Sequence, residues 1–268
     1  MKAWVAIIGG SGVKSIVKGQ SRVLGTPYGP TPPLTLGEVS GKSAVFLLRH
    51  GEHHENPPHK VNYRANIWGL KTLGVERIIA TNAVGGIDEQ LNPGDMVSPV
   101  DIVDFTKSRP GTFYDGPPVT HIDVSQPYCP KIREALAAAS KENGRPVRAN
   151  IVMASTQGPR YETPAEIRML KMLGCGIVSM TGAPEVFLAR ELEMCYASIS
   201  FVTNMAAGMQ RTLSATEVEE RGRETSLVLT KIIATAIARI PKSRQDCPCS
   251  TALTNAQLRN DMVKEAVS

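Results

Sequence analysis

Residues 3–12 read AWVAIIGGSG: an unbroken apolar run, Ala3 to Ile8, that stops on Gly9-Gly10-Ser11-Gly12. A run that short, closed by glycine, has the pattern of a buried strand feeding a tight turn. The pattern recurs along the chain. Ala44–Leu48 runs into Arg49-His50-Gly51, Arg77–Thr81 into Asn82-Ala83-Val84-Gly85-Gly86, and Met96–Val103 up to Asp104. Ile151–Ser155 meets Thr156-Gln157-Gly158-Pro159, Ile177–Met180 meets Thr181-Gly182, and Tyr196–Val202 meets Thr203-Asn204. Helical periodicity fits Tyr63–Leu73, Pro130–Asn143, Pro164–Leu173, Pro184–Glu193 and Thr216–Ala238, several of them opening on proline, which the first helical turn tolerates. Strands alternating with helices predict an α/β fold, a single domain over residues 1–240 with a mixed central sheet flanked by helices. In such sheets ligands bind beyond the carboxyl ends of the strands, where these glycine and polar clusters fall. From Pro241 the character changes, and 241–268 reads as a peripheral C-terminal tail with a short helix near Asn255–Ala266.

Hydrophobic residues make up 42% of the 268, enough for a substantial core without staples. No stretch approaches the ~18 apolar residues of a membrane span, and Ala3–Ile8 is too short for a signal-peptide core. Cys129, Cys175, Cys195, Cys247 and Cys249 are an odd, scattered set, which speaks against a disulfide framework and for a reduced, cytoplasmic protein. The net charge of +5 is spread among interspersed acids and bases, and with 5% aromatic residues there is no nucleic-acid surface to read. A small phosphate-like ligand suits the excess of positive charge better.

Each motif has a plain structural reading beside a chemical one. The glycine cluster at 9–12 can offer backbone N–H groups and the Ser11 hydroxyl to an anion, or simply turn the chain. It lacks the lysine of a P-loop, and the window Thr26–Gly37 lacks the acidic ribose ligand of a dinucleotide enzyme. Arg49 offers a planar fork that matches two phosphate oxygens, or a solvated loop charge. His50, His53, His54 and His59 crowd together with Glu52 and Glu55, but they lack the i, i+4 pairing of a helical zinc site, and Pro57-Pro58 argue for a loop beside a polar site. Tyr161-Glu162, Met180-Thr181 and Thr203-Asn204 follow strand-like runs and read equally as turn or strand-end residues.

In order along the chain stand Gly9-Gly-Ser-Gly12, Arg49-His-Gly51, Val61-Asn-Tyr-Arg-Ala-Asn66, Ala83-Val-Gly-Gly86, Thr156-Gln-Gly-Pro-Arg160, Met180-Thr-Gly-Ala-Pro-Glu185 and Thr203-Asn204. Together they resemble the trimeric purine nucleoside phosphorylase family, in its methylthioadenosine phosphorylase branch, over roughly residues 3–240. The resemblance implies cleavage of a purine nucleoside by inorganic phosphate, a co-substrate, with no metal and no organic cofactor. It implies phosphate among Ser11, Arg49, His50, Ala83 and Thr181, with Asn82 where relatives often have threonine. It sets Met180 against the sugar and Tyr161 against base or sugar. His121 resembles a residue that a neighbouring subunit contributes, which implies a homotrimer or a dimer of trimers.

Base choice lies in Glu162 and in Asn204-Met205-Ala206, where methylthioadenosine phosphorylases carry aspartates. Asn204 can donate to O6 and accept from a protonated N7. Glu162 matches a glutamate that accepts N1–H of a 6-oxopurine, whereas adenine would present it with a lone pair. The pair implies inosine, guanosine or 5′-methylthioinosine as substrates; Ala215, where inosine phosphorylases resemble one another in having a histidine, implies room for a methylthio group. The alternatives are a methylthioadenosine phosphorylase and, further off, a nucleosidase using water. Cys247-Pro248-Cys249 reads as two free thiols or as a metal pair short of further ligands; heat-stable archaeal relatives that the sequence resembles carry disulfides in such pairs. A bridge across one residue would be strained and contribute little stability.

Overall fold

The computed structural model describes residues 2–257 apart from 12, 14, 245 and 246. Strand β1 (Val5–Gly9) is followed by β2 (Lys18–Arg22), the short pair β3 (Gly25–Thr26) and β4 (Gly29–Pro30), then β5 (Leu34–Val39) and β6 (Lys42–Leu48). Helix α1 (Tyr63–Thr72), β7 (Arg77–Gly86), β8 (Met96–Phe105), α2 (Pro130–Glu142), β9 (Arg148–Thr156) and α3 (Pro164–Met172) come next. The series ends with β10 (Cys175–Ser179), α4 (Glu185–Glu191), β11 (Cys195–Met205) and α5 (Ala215–Arg239). One nine-stranded sheet runs β10-β9-β8-β11-β7-β1-β6-β5-β2. It mixes parallel pairs such as β1–β6, β1–β7 and β7–β11 with antiparallel ones such as β5–β6 and β8–β11. This is the mixed α/β sheet with flanking helices that the alternating pattern predicts.

The apolar run at the N-terminus is explained by its place. β1 lies between two parallel neighbours and is buried on both faces, so both side-chain sets must be apolar. Val5 and Ile7 face Ile132 and Leu136 of α2 and Leu229, Ile233 and Ile237 of α5. Ala6 and Ile8 face Ile67 and Leu70 of α1 and Val186 and Leu188 of α4. The i, i+4, i+8 spacing on α5 supplies one continuous apolar stripe for that contact. α3 is closed at its start by a reciprocal cap, Glu166 N–H to Thr163 Oγ1 at 3.2 Å and Thr163 N–H to Glu166 Oε2 at 2.7 Å.

Three expectations change. β7 continues through Asn82–Gly86 instead of ending at Thr81, because β11 pairs with it along that whole stretch and β10 pairs antiparallel with its last two residues. That pairing closes a ring β7–β11–β8–β9–β10 within the sheet. The tail is not peripheral over its described residues: Cys247, Cys249, Ala252 and Ala256 are buried, and the Arg77 guanidinium donates to the carbonyl of Lys242 at 2.6 Å. Its polar composition concealed four small buried side chains. The helix read near Asn255–Ala266 falls largely outside the described residues, and Asn255–Gln257 ends in a bridge to Thr120. Cys247 and Cys249 are free thiols, with the Cys247 sulfur 3.5 Å from that of Cys195. Among the described residues no helix is long and apolar enough to cross a membrane.

Candidate active site

A cavity of about 1080 Å³ opens where β7, β10 and β11 meet the loops after β1, β6 and β9. Ser11, Arg49, His50, Ala83, Met180, Thr181, Tyr161, Glu162, Asn204 and Ala206 all line it. Six of the seven ordered motifs therefore contribute to one space, Thr156–Arg160 through Pro159, while Val61–Asn66, at the start of α1, does not line it. The bend of β7, whose first half pairs with β1 and whose last residues pair with β10, turns Asn82–Gly85 toward it.

At one wall stands the anion set. Gly10 does not offer its N–H to a ligand, as the glycine cluster suggests; Thr81 Oγ1 accepts it at 2.8 Å. That bond pulls the loop onto β7, and only glycine fits there, since a side chain would begin 2.5 Å from the Thr81 carbonyl oxygen. Arg49 is fully buried, and its fork is taken by Glu185, with Nε to Oε2 at 2.7 Å and Nη2 to Oε1 at 2.6 Å. Nη1 donates to the Thr81 carbonyl at 2.9 Å. The two-oxygen fork expected for phosphate is thus spent on a carboxylate, and phosphate contact falls to the remaining Nη hydrogens. Burial alone would lower the guanidinium pKa; the Glu185 carboxylate overrides this and raises it above its ordinary value.

His50 is held neutral, its pKa pushed down to about 4 by burial and by the adjacent Arg49 charge. Its Nδ1 lies 2.7 Å from the Asn56 carbonyl, which can only accept, so Nδ1 carries the proton and Nε2 presents a lone pair. That nitrogen suits a protonated phosphate oxygen. Asn82, buried in β7, donates Nδ2–H to Thr181 Oγ1 at 3.0 Å, while its Oδ1 accepts from Ser198 at 2.6 Å. With a lone pair of Thr181 taken, its hydroxyl proton is released to point at an anion.

The opposite chemistry sits on Glu162 and Asn204. Thr156 Oγ1 donates to Glu162 Oε1 at 2.6 Å and fixes one carboxylate oxygen. In β11 the register with β7 slips between Val202 and Asn204, a bulge that re-aims the following side chain. Thr203 Oγ1 donates to Asn204 Oδ1 at 2.7 Å, and Asn204 Nδ2 donates to the Met205 carbonyl at 2.9 Å. A carbonyl cannot donate, so the amide has one orientation, with one N–H and one oxygen lone pair to spare.

Met205 and His121 are not brought to this cavity. The Met205 sulfur packs over Gly86; the Ala215 side chain lies outside the described residues, although the residue opens α5 behind the Ser214 cap. His121 is exposed, its N–H bonded to the Ala256 carbonyl at 2.8 Å. Leu213 and Val218, beside Ala215 in sequence, do line the cavity. Sequence reading gave no role to Glu185 or Arg109. Arg109 clamps the loops around the site, donating to the carbonyls of Met180 at 2.8 Å, Ala183 at 2.9 Å and Gln157 at 2.6 Å. A lone arginine in a loop carries no signal of that kind; Glu185 at least closed one of the ordered motifs.

The Phosphorylase superfamily model matches residues 5–238, which span nearly every element that builds this cavity. The 6-oxopurine nucleoside phosphorylase of Pyrococcus furiosus is 48% identical over 94% of this chain and 98% of its own. A probable S-methyl-5′-thioinosine phosphorylase of Methanopyrus kandleri is also 48% identical, over 95% of this chain and 99% of its own. The S-methyl-5′-thioadenosine phosphorylase of Pyrococcus abyssi is 44% identical over 93% and 97%. A crystal structure of a methylthioadenosine phosphorylase from an antarctic soil metagenomic library superposes with a TM-score of 0.89 at 34% identity, covering 96% of this chain and 93% of that one. With the motifs converging on one cavity and likeness of this extent, the chain belongs to the Phosphorylase superfamily.

Proposed function

We propose that the protein cleaves 6-oxopurine nucleosides (inosine, guanosine and 5′-methylthioinosine) with inorganic phosphate, releasing the base and a ribose 1-phosphate. The observation that carries this reading is the pairing of Glu162 with an orientation-locked Asn204 in the cavity that also holds Ser11, Arg49 and Thr181. As the bond to C1′ breaks, the sugar gains positive and the purine negative charge. Phosphate held by the anion set stabilises the first, and the spare N–H of Asn204 stabilises the second. Glu162 accepts N1–H of the 6-oxo base. Positioning of the two substrates supplies the remainder.

Initial rates with inosine, guanosine, methylthioinosine and methylthioadenosine, with and without phosphate, test this. Turnover should require phosphate and yield ribose 1-phosphate; free ribose formed in phosphate-free buffer would make the enzyme a nucleosidase. The 6-oxo nucleosides should exceed the 6-amino ones in kcat/KM by about tenfold or more, about 1.4 kcal/mol. Equal efficiency would favour the methylthioadenosine reading, which the relatives named S-methyl-5′-thioadenosine phosphorylase support in part.

We further read the protein as cytoplasmic and as a homotrimer or dimer of trimers in which His121 serves a neighbour's cavity. The exposure of His121 and its absence from the lining of its own chain's cavity support that reading. Turnover should fall with dissociation on dilution, followed by sedimentation; fully active monomers would end the claim.

A further inference from the structure

Cys247 and Cys249, short of ligands when taken alone, acquire two more from the fold. Cys129 stands at the N-terminus of α2, and Cys195 is the first residue of β11. The four sulfurs all lie within 4.8 Å of one another, and all four residues are buried. A tetrahedral thiolate site with Zn–S bonds of about 2.3 Å sets its sulfurs about 3.8 Å apart, so little movement separates this cluster from that geometry. We propose that Cys129, Cys195, Cys247 and Cys249 bind one zinc ion, which fastens the C-terminal tail to the junction of α2 and β11.

Other features of the site agree. Beside the sulfurs lies a small pocket of about 20 Å³ lined by Cys129, Cys195 and Cys247. Four thiolates around a divalent ion leave a net double negative charge, and Arg77 and Arg244 line the same pocket. The Nε of Arg244 is buried without a hydrogen-bond partner among the described residues, although its Nη1 lies 3.8 Å from the Glu76 carboxylate. The start of α2 favours a thiolate at Cys129. Besides the cysteines, the described residues of the tail bury only side chains as small as Ala252 and Ala256, little apolar area to hold them in place. An ion held in common would supply that free energy. Its effect would extend to His121, whose segment is bonded to Ala256 and bridged to Gln257.

The test begins with native protein purified under reducing conditions without a metal-affinity step, incubated with equimolar zinc and desalted. Elemental analysis should give about one zinc per chain, and Cys129, Cys195, Cys247 and Cys249 should resist alkylation until a strong chelator is added. Cobalt loading should produce the thiolate charge-transfer and tetrahedral d–d absorption of a tetrathiolate site. Cys249→Ser should lose most of the bound zinc and of the cobalt spectrum, and chelation of the native protein should lower its Tm without any substitution. Intact mass showing two disulfides, or four alkylatable thiols with no zinc retained after loading, would overturn the proposal. So would zinc retained undiminished by Cys249→Ser.

Discussion

The double variant Arg49→Met/Glu185→Leu should regain much of the stability that Glu185→Leu loses and yet be severely impaired in phosphorolysis. Both partners of the pair are completely buried, and Glu185 also accepts from Tyr196 Oη at 2.7 Å. Burial and the Glu185 charge raise the Tyr196 pKa well above its ordinary value, so the tyrosine stays a neutral donor to that carboxylate. Removing Glu185 alone strands a buried guanidinium, a loss of about 3–5 kcal/mol in unfolding free energy. Removing both charges and filling the space with apolar groups abolishes the desolvation penalty together with the attraction, and the loss that remains, about 1–3 kcal/mol, is that of the Tyr196 hydroxyl left without its acceptor. Chemical denaturation of the two single variants and the double variant would show the recovery. A double variant as unstable as Glu185→Leu would mean that the pair is retained for stability. If the pair is kept for chemistry, the refolded double variant should show kcat/KM at least about a hundredfold lower, since Arg49 is the buried cation of the proposed anion set. Full turnover by the double variant would remove Arg49 from the anion set.

Periodicity made the helices and the buried strands legible because burial writes itself into apolar spacing. β1 and β11 are buried along almost their whole length and could hardly read otherwise. β2 was invisible for the converse reason: Lys18–Arg22 is an edge strand exposed at every residue, so nothing constrained its side chains to be apolar. Asn82, Gly85 and Gly86 are poor strand formers, and the strand persists there because β11 and, at its last two residues, β10 pair with it. The candidate site was legible as a set of residues but not as a set of bonds. Which groups Arg49 and Gly10 contact depends on Glu185 and Thr81, distant in sequence, and no local pattern encodes such a partner. The tail shows the same limit, since Cys247 and Cys249 gain meaning only beside Cys129 and Cys195.

Exchange of the base-reading pair should change nucleoside preference in two steps. In Asn204→Asp one carboxylate oxygen still accepts from Thr203, but the other replaces an N–H that now lies 2.9 Å from the Met205 carbonyl. Two acceptors then face each other, and the carboxylate favours any donor that approaches, such as the 6-amino group of adenine. Against inosine the same oxygen meets O6, so kcat/KM for inosine should fall about a hundredfold and the inosine-to-adenosine ratio by at least about tenfold. The first step cannot make a good adenosine enzyme, because Glu162 still presents an oxygen to the lone pair at N1. Glu162→Gln supplies the missing donor. Thr156 holds Oε1 by its own hydroxyl, so the new Nε2 amide occupies the position of the free oxygen. The double variant Asn204→Asp/Glu162→Gln should therefore prefer adenosine and methylthioadenosine over their 6-oxo counterparts. Because the two residues read neighbouring atoms of one base, their effects on the ratio should be coupled, as those at Arg49 and Glu185 are. Steady-state kcat/KM for the four nucleosides on the parent, both single variants and the double variant decides it. A ratio unmoved by the double substitution would mean that base identity is read elsewhere in the cavity.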